Sequence, residues 1–178
     1  MARPNIDQLR GLGDFSTLFR WDLQWTTIPS LISQFGTVPT SDDLNFRCES
    51  TTLPTAEIGV SEVNIRGHKV NEPSILSYNG SLDLTFLETV DNKVHNFIMA
   101  WREALWARKT GVAAGAMNTL KGEFLLIRLN NQDQQVWKYK VKGVFPNNYQ
   151  LPTLDGSSTD FLKPVITFKY DYFEDAAA

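Results

Sequence analysis

The cleanest alternation in the chain is Phe19-Arg20-Trp21-Asp22-Leu23-Gln24-Trp25-Thr26. Phe19, Trp21, Leu23 and Trp25 fall on one side, and Arg20, Asp22, Gln24 and Thr26 on the other. A period of two marks a half-buried strand, because successive side chains leave a strand on opposite faces. Leu44, Phe46 and Cys48 alternate with Asn45, Arg47 and Glu49, which predicts a second strand stopped at Pro54. Leu82, Leu84 and Phe86 alternate with Ser81, Asp83 and Thr85 behind an Asn79-Gly80 turn signal. Residues 123–129 are nearly continuously apolar, the pattern of a strand covered on both faces. Residues 136–144 return with Trp137, Tyr139 and Val141 on one face and Lys138, Lys140 and Lys142 on the other, ended by Gly143 and Pro146. A last strand sets Ile166, Phe168, Tyr170 and Tyr172 against Thr167, Lys169 and Asp171.

The stretch 58–88 organises the rest. Ile58 and Val60 share one face, but Val63 and Ile65 have the opposite parity. A one-residue slip of this kind flips every side chain to the other face. A β-bulge near Ser61-Glu62 reconciles the two pairs; the alternative is a strand that leaves one sheet and enters another. Both suit a long strand serving two surfaces. Arg66-Gly67-His68-Lys69-Val70 follows as a turn, and a crossing through Pro73 leads to the strand at 81–88.

Residues 91–109 carry the one helical pattern. Val94, Phe97, Ile98, Trp101 and Leu105 make an apolar stripe. Thr89 or Asp91 is placed to cap its start, and Arg108, Lys109 and Gly111 to end it. Pro29, Gly36 and Pro39 mark a loop, 111–122 is a small-residue connector, and 147–160 is loop. Residues 1–17 form a polar arm with a short helical turn around Ile6 to Arg10, and 174–178 a frayed tail. The expected fold is a single, mainly β domain. It is an antiparallel two-sheet sandwich or barrel of about seven strands with one flanking α-helix.

Composition adds exclusions. At 178 residues the chain can bury a real core without disulfides. Its net charge of −3 argues against gripping nucleic acid by its phosphates. It does not exclude a protein that nucleic acid passes without sticking. Cys48 is the only cysteine and is read as a packed small hydrophobe. Nothing at Met1-Ala2-Arg3-Pro4-Asn5 resembles a signal peptide, so synthesis and retention in a cytoplasm are expected. No apolar run is long enough to span a membrane.

A search for chemistry returns little. His68 and His95 are too far apart, with too few nearby ligands, for a metal site. The acidic pairs Asp42-Asp43 and Glu174-Asp175 fall in a loop and a tail. The glycines match no phosphate loop, and no nucleophile elbow is present. No catalytic residue, metal or cofactor is expected. The Lys138, Lys140, Lys142 stripe has three readings: a solvated or edge-protecting face, pairing with acids of another subunit, or nucleic acid.

The order and spacing of the motifs carry a resemblance. Thr51-Thr52-Leu53-Pro54, Arg66 to Val70, Phe97 with Trp101, Lys142 to Pro146, and Tyr170 to Glu174 fall in the order found in the tail tube proteins of contractile-tailed bacteriophages. Over roughly residues 15–175 the chain resembles that family, and is similar in fold to the type VI secretion hemolysin-coregulated protein. The resemblance implies hexameric rings in which strands of neighbouring subunits form one β-barrel. The rings would stack into an inner tube through which phage DNA is ejected. It implies as partners further copies of the chain, the tail sheath, tape-measure, baseplate and tail-terminator proteins, with no small-molecule substrate. The implied location is the virion, assembled in the host bacterial cytoplasm. A tube-initiating baseplate protein, a bacteriocin tube or a secretion-system tube is the alternative. The expected interface residues are Arg66, Gly67, His68 and Lys69 at the hairpin tip, and Lys138, Lys140 and Lys142 on the stripe. The lysines are expected to face the lumen only if acids from neighbouring subunits neutralise them. The 29–43 loop has no role in this scheme.

Overall fold

In the computed structural model, which describes Ile6 and residues 15–177, Trp25 stands where two sheets and a helix meet. Its indole contacts Phe97, Trp101, Phe124 and Phe168 at ring-centroid distances of 5.0 to 6.3 Å, mostly edge-on. Such pairs add ~0.5–1.5 kcal/mol each beyond the area they bury. The strands around it are β1 (Trp21–Thr27), β2 (Cys48–Thr51), β5 (Ser81–Phe86), β6 (Gly122–Leu129), β7 (Gln135–Gln150), β8 (Val165–Lys169) and β9 (Tyr172–Ala177). They form one antiparallel path, β1-β6-β7-β8-β5-β2, with β9 also paired to β7. Helix α2 (Lys93–Leu105) lies on the inner face, burying Val94, Phe97, Ile98, Trp101 and Ala104. The Trp101 indole N–H donates to the Leu120 carbonyl at 2.8 Å, so even this large buried ring is satisfied.

β7 lets one path serve two sheets. Gly143 and Pro146 were expected to end it, but it runs through both for sixteen residues. Up to Val144 it pairs with β6, with β9 on its other side over Trp137 to Lys142; from Phe145 it pairs with β8. The change of partner is made at Gly143, which has φ +70. A Cβ there would stand 2.1 Å from the Asp171 carboxylate. Asp171 separates β8 from β9 and is held by Lys121 Nζ at 2.7 and 2.8 Å. The last strand is therefore two strands, and the segment expected to fray from Glu174 is paired as far as Ala177.

Several expectations are corrected. Among the described residues there are nine strands and two α-helices, not seven and one. The strand expected at Leu44 to Glu49 is instead a helix, α1 (Ser41–Arg47), followed by the short β2. Thr40 accepts the Asp43 N–H at 3.2 Å as its N-cap, and Asp42 and Asp43 occupy the first turn, where the helix end favours anions. The loop at 29–43 holds a 3-10 turn (Ser30–Gln34) that buries Ile32. α2 is shorter than 91–109, and neither Thr89 nor Asp91 caps it. Glu88 does, accepting from Val94 N at 3.2 Å and His95 N at 2.8 Å. Phe19 lies outside β1 and is exposed. The expected turn at Ile6 to Arg10 lies outside the described residues except for Ile6. Finally, the single chain closes no barrel: β1 and β2 end the path.

One of those ends is blocked. The Asn45 side chain accepts from Leu23 N at 2.8 Å and Ser41 Oγ from Trp25 N at 2.8 Å. α1 thus occupies two N–H groups that an edge strand would offer to another chain.

Candidate assembly surface

β3 (Ala56–Ile65) and β4 (His68–Tyr78) pair only with each other. The chain enters and leaves this hairpin at one point, where Asn79 N donates to the Thr55 carbonyl at 3.0 Å. The tip is a two-residue turn, Arg66 at φ 50 and Gly67 at φ 82, between the paired Ile65 and His68. Positive φ at both central positions is the type I′ geometry that follows the right-handed twist of a hairpin. Lys69 and Glu62 form an ion pair across the two strands. The register shift expected near Ser61-Glu62 lies instead between Ile58 and Val60, where the extra residue belongs to β4, opposite Gly59. β4 runs through Pro73, which was expected to be a crossing.

The hairpin has no core. Every residue of β4, and every residue of β3 except Gly59, is exposed. Ile58 is 59%, Val60 62%, Ile65 57% and Leu76 51% exposed. Tyr78, at the root, packs on the body, its ring 5.4 Å from that of Phe173. An isolated two-stranded hairpin is marginal in water, and an apolar patch on both of its faces marks a surface meant to be covered. The tip residues Arg66, Gly67, His68 and Lys69 sit at the far end of this arm.

Lys138, Lys140 and Lys142 are elsewhere, on β7 within the main sheet, and the structure does not bring them into one element with the tip. Their face also carries acids of the same chain, beside Leu125 and Ile127. Lys140 Nζ lies 3.4 Å from Glu123 and Lys142 Nζ 2.7 Å from Glu174. Lys142 also stands 5.3 Å from the Tyr172 ring centroid. Its hydrogen bond to Glu174 holds the Lys142 ammonium above, and the Glu174 carboxyl below, their ordinary pKa values. By register Asp22, Glu123 and Glu174 share the lysine face. Two of the three lysines are thus paired within one subunit, so pairing does not require a neighbour. Sequence reasoning missed these acids because β6 and β9 are paired with β7 only by the fold. It also missed Leu76 and Tyr78, because the segment that holds them was read as a crossing through Pro73 and not as a strand.

No group of three or more candidate metal ligands occurs among the described residues. His95 Nδ1 lies 3.1 Å from the Tyr149 hydroxyl, at a groove also lined by Glu88, whose carboxylate is occupied by the Val94 and His95 N–H groups. Burial pushes the Cys48 thiol up to about 12, so it is not a reactive thiolate. No helix is long and apolar enough to cross a membrane.

Known structures share the fold. A chain of the sheath–tube complex of PVC, an extracellular contractile injection system in its extended state, superposes with TM-score 0.63 and 13% identity, covering 99% of this chain and 100% of that one. A chain of the anti-feeding prophage baseplate superposes with TM-score 0.62 and 12% identity, covering 92% and 97%. Hcp1 from Flavobacterium johnsoniae is a looser match, with TM-score 0.47 and 8% identity over 90% and 97%. For the first two, at these identities, the likeness is one of fold. A search of the curated proteins finds no match. The family model described as phage tail tube protein matches residues 15–175, nearly the whole chain. The chain belongs to the phage tail tube protein family.

Proposed function

We propose that this protein is the subunit of the inner tail tube of a contractile-tailed phage. As a member of its family it is a structural tube component rather than an enzyme. In the fuller reading, six copies join into a ring whose strands complete one barrel around a channel. The rings stack inside a sheath between a baseplate and a terminator, around a tape-measure protein, and phage DNA leaves through the channel. The observation that carries this is the free-standing hairpin: 21 residues of strand with both faces in solvent. A chain that functions alone has no reason to keep that surface. A net charge of −3 suits a wall that must not retain a polyanion. The Arg66–Lys69 tip and the lysine face are the proposed contacts between subunits, the lysines balanced by Glu123 and Glu174.

Negative-stain microscopy of the purified protein tests this directly. Rings with a central hole and sixfold symmetry, growing into tubes with concentration, are expected. A monomer at every concentration, together with absence from purified virions, would overturn it. The fold shared with injection-system tube and baseplate chains favours a second reading, a tube or tube-initiating part of a DNA-free injection device. Recovery of the protein by mass spectrometry from DNA-filled virions decides for the first reading, and recovery only from DNA-free particles for the second.

A further inference from the structure

One cavity and one loop of the body carry complementary chemistry that neither satisfies within the chain. The cavity, of about 330 Å³, is walled by Trp21, Leu53 and Leu126, with Arg20 and Arg128 also lining it. Apolar walls with a few polar groups are the usual make-up of a binding site. Arg20 is already paired with Asp133. Arg128 donates to Ser16 Oγ at 2.8 Å, and among the described residues no carboxylate lies within ion-pair distance of it. A guanidinium is a fork of donors matched to a carboxylate. The cavity therefore suits an apolar group that stands beside an acid.

Such a pair is displayed on residues 151–164, which join β7 to β8 without strand or helix. A connection of this length with no structure of its own is uncommon in a compact domain, and binding is one of the few reasons for it. Two acid–apolar pairs lie on it, Leu154-Asp155 and Asp160-Phe161. The Asp155 carboxylate is occupied within the loop, accepting from Ser157 N at 2.9 Å and Ser157 Oγ at 2.8 Å. Asp160 is bonded only through its backbone N–H, to Ser158 Oγ at 3.2 Å, and its carboxylate has no partner among the described residues. Phe161 is 76% exposed. The backbone just after it is fixed to the body, since the Leu162 carbonyl accepts from Glu88 N and the Pro164 carbonyl from Phe86 N, both at 3.0 Å. No residue lining the cavity comes from this loop. β7 runs from one to the other: Trp137 stands opposite Arg128, and the loop leaves after Gln150, roughly 40 Å of strand further on.

We propose that Asp160-Phe161 of one copy docks in this cavity of a second copy, with the Phe161 ring against Trp21 and Leu53 and the Asp160 carboxylate on the Arg128 guanidinium. The contact rests on the tube reading and adds to it a joint between bodies made by side chains alone. Loop and cavity are different surfaces, so the contact is heterologous and passes from copy to copy instead of closing a pair.

Sedimentation over a range of concentrations tests the contact by exchanging its charges. Asp160→Arg and Arg128→Asp are each expected to raise the concentration needed for assembly by about thirtyfold or more, the usual penalty for stranding one member of a desolvated charge pair. The chain carrying both changes should return to within about threefold of the intact one, because the pair is restored with its signs reversed. Phe161→Ser should weaken assembly as much as either single change and gain nothing from the exchange. Leu154→Ser, in the same loop, is the control and should assemble like the intact chain. Asp160 and Phe161 are exposed, so their variants should leave the melting of the dissociated chain unchanged. If Arg128→Asp melts lower, Leu53→Glu, at an exposed wall of the cavity, takes its place and should weaken assembly equally. Normal assembly of Phe161→Ser, or an exchange that rescues nothing in a chain of normal melting, would overturn the contact alone. An intact chain that stays monomeric at every concentration would overturn the tube reading and this contact with it.

Discussion

Gly143 shows how much of this fold turns on one missing methyl group. Its φ of +70 is a conformation that residues with a side chain rarely hold, and the space for a Cβ is already taken by Asp171. Gly143→Ala is expected to destabilise the monomer by about 2–4 kcal/mol, combining backbone strain with displacement of the Asp171–Lys121 pair. Asp171→Ala in the same chain should recover part of the loss, because it removes the obstacle but not the strain. Urea unfolding of the four chains of this double-mutant cycle measures the coupling. Additive losses would show that Asp171 is not what the glycine accommodates. In the sequence Gly143 read as a strand end, which was half right. The bend was legible from the residue type, but its consequence was not. Whether a chain stops or changes partner depends on β8 and β9, more than twenty residues downstream.

Among the elements, those read correctly are the ones whose periodicity coincides with burial. β5 alternates strictly, and its Leu82, Leu84 and Phe86 are at most 1% exposed. The α2 stripe was equally plain. α1 was misread because seven residues are under two turns, and Leu44, Phe46 and Cys48 fit a period of two as well as Leu44 and Cys48 fit a period of four. Phe46, at 83% exposed, shows which period holds. The local signal was present in Thr40-Ser41-Asp42-Asp43, a cap followed by acids. What fixes α1 is tertiary: it lies along the edge of β1. The start of α2 was misread for a related reason, since Asn92 enters at φ 52 and the cap is Glu88, well before the first helical residue. Glu88→Ala is expected to cost about 1 kcal/mol, the usual loss when an N-terminal cap is removed. Glu88→Gln, which keeps an acceptor, should cost less, and urea midpoints of the two variants check the order. Equal losses would mean that the carboxylate's charge, not its geometry, holds the helix start.

At the scale of the whole molecule, the body and the arm are separable. The parity slip between Val60 and Val63 was read as a bulge near Ser61-Glu62 or a change of sheet, and β3 has neither; the tip of the arm was legible in Arg66-Gly67. The arm's isolation was not, because no periodicity tells a strand which sheet it joins. None of the buried core residues comes from β3 or β4. The chain already closes at the root through the Asn79–Thr55 hydrogen bond of 3.0 Å. Replacing residues 57–77 with a two-residue turn should therefore leave a cooperatively folding body, with melting within about 5 °C of the intact chain, as for a change worth about 1 kcal/mol or less. The shortened chain should remain monomeric at concentrations where the intact one assembles, because the lost surface is the one that has no partner within the monomer. Calorimetry and sedimentation on the same samples read both outcomes. A body that no longer unfolds cooperatively would mean that the arm stabilises it, and tubes from the shortened chain would move assembly to the β2 and β9 edges. Retained folding with lost assembly would place the energy of association in residues that contribute nothing to the stability of the subunit. That division is what a building block requires: the monomer can then fold first, and the tube can grow from subunits whose structure is already complete.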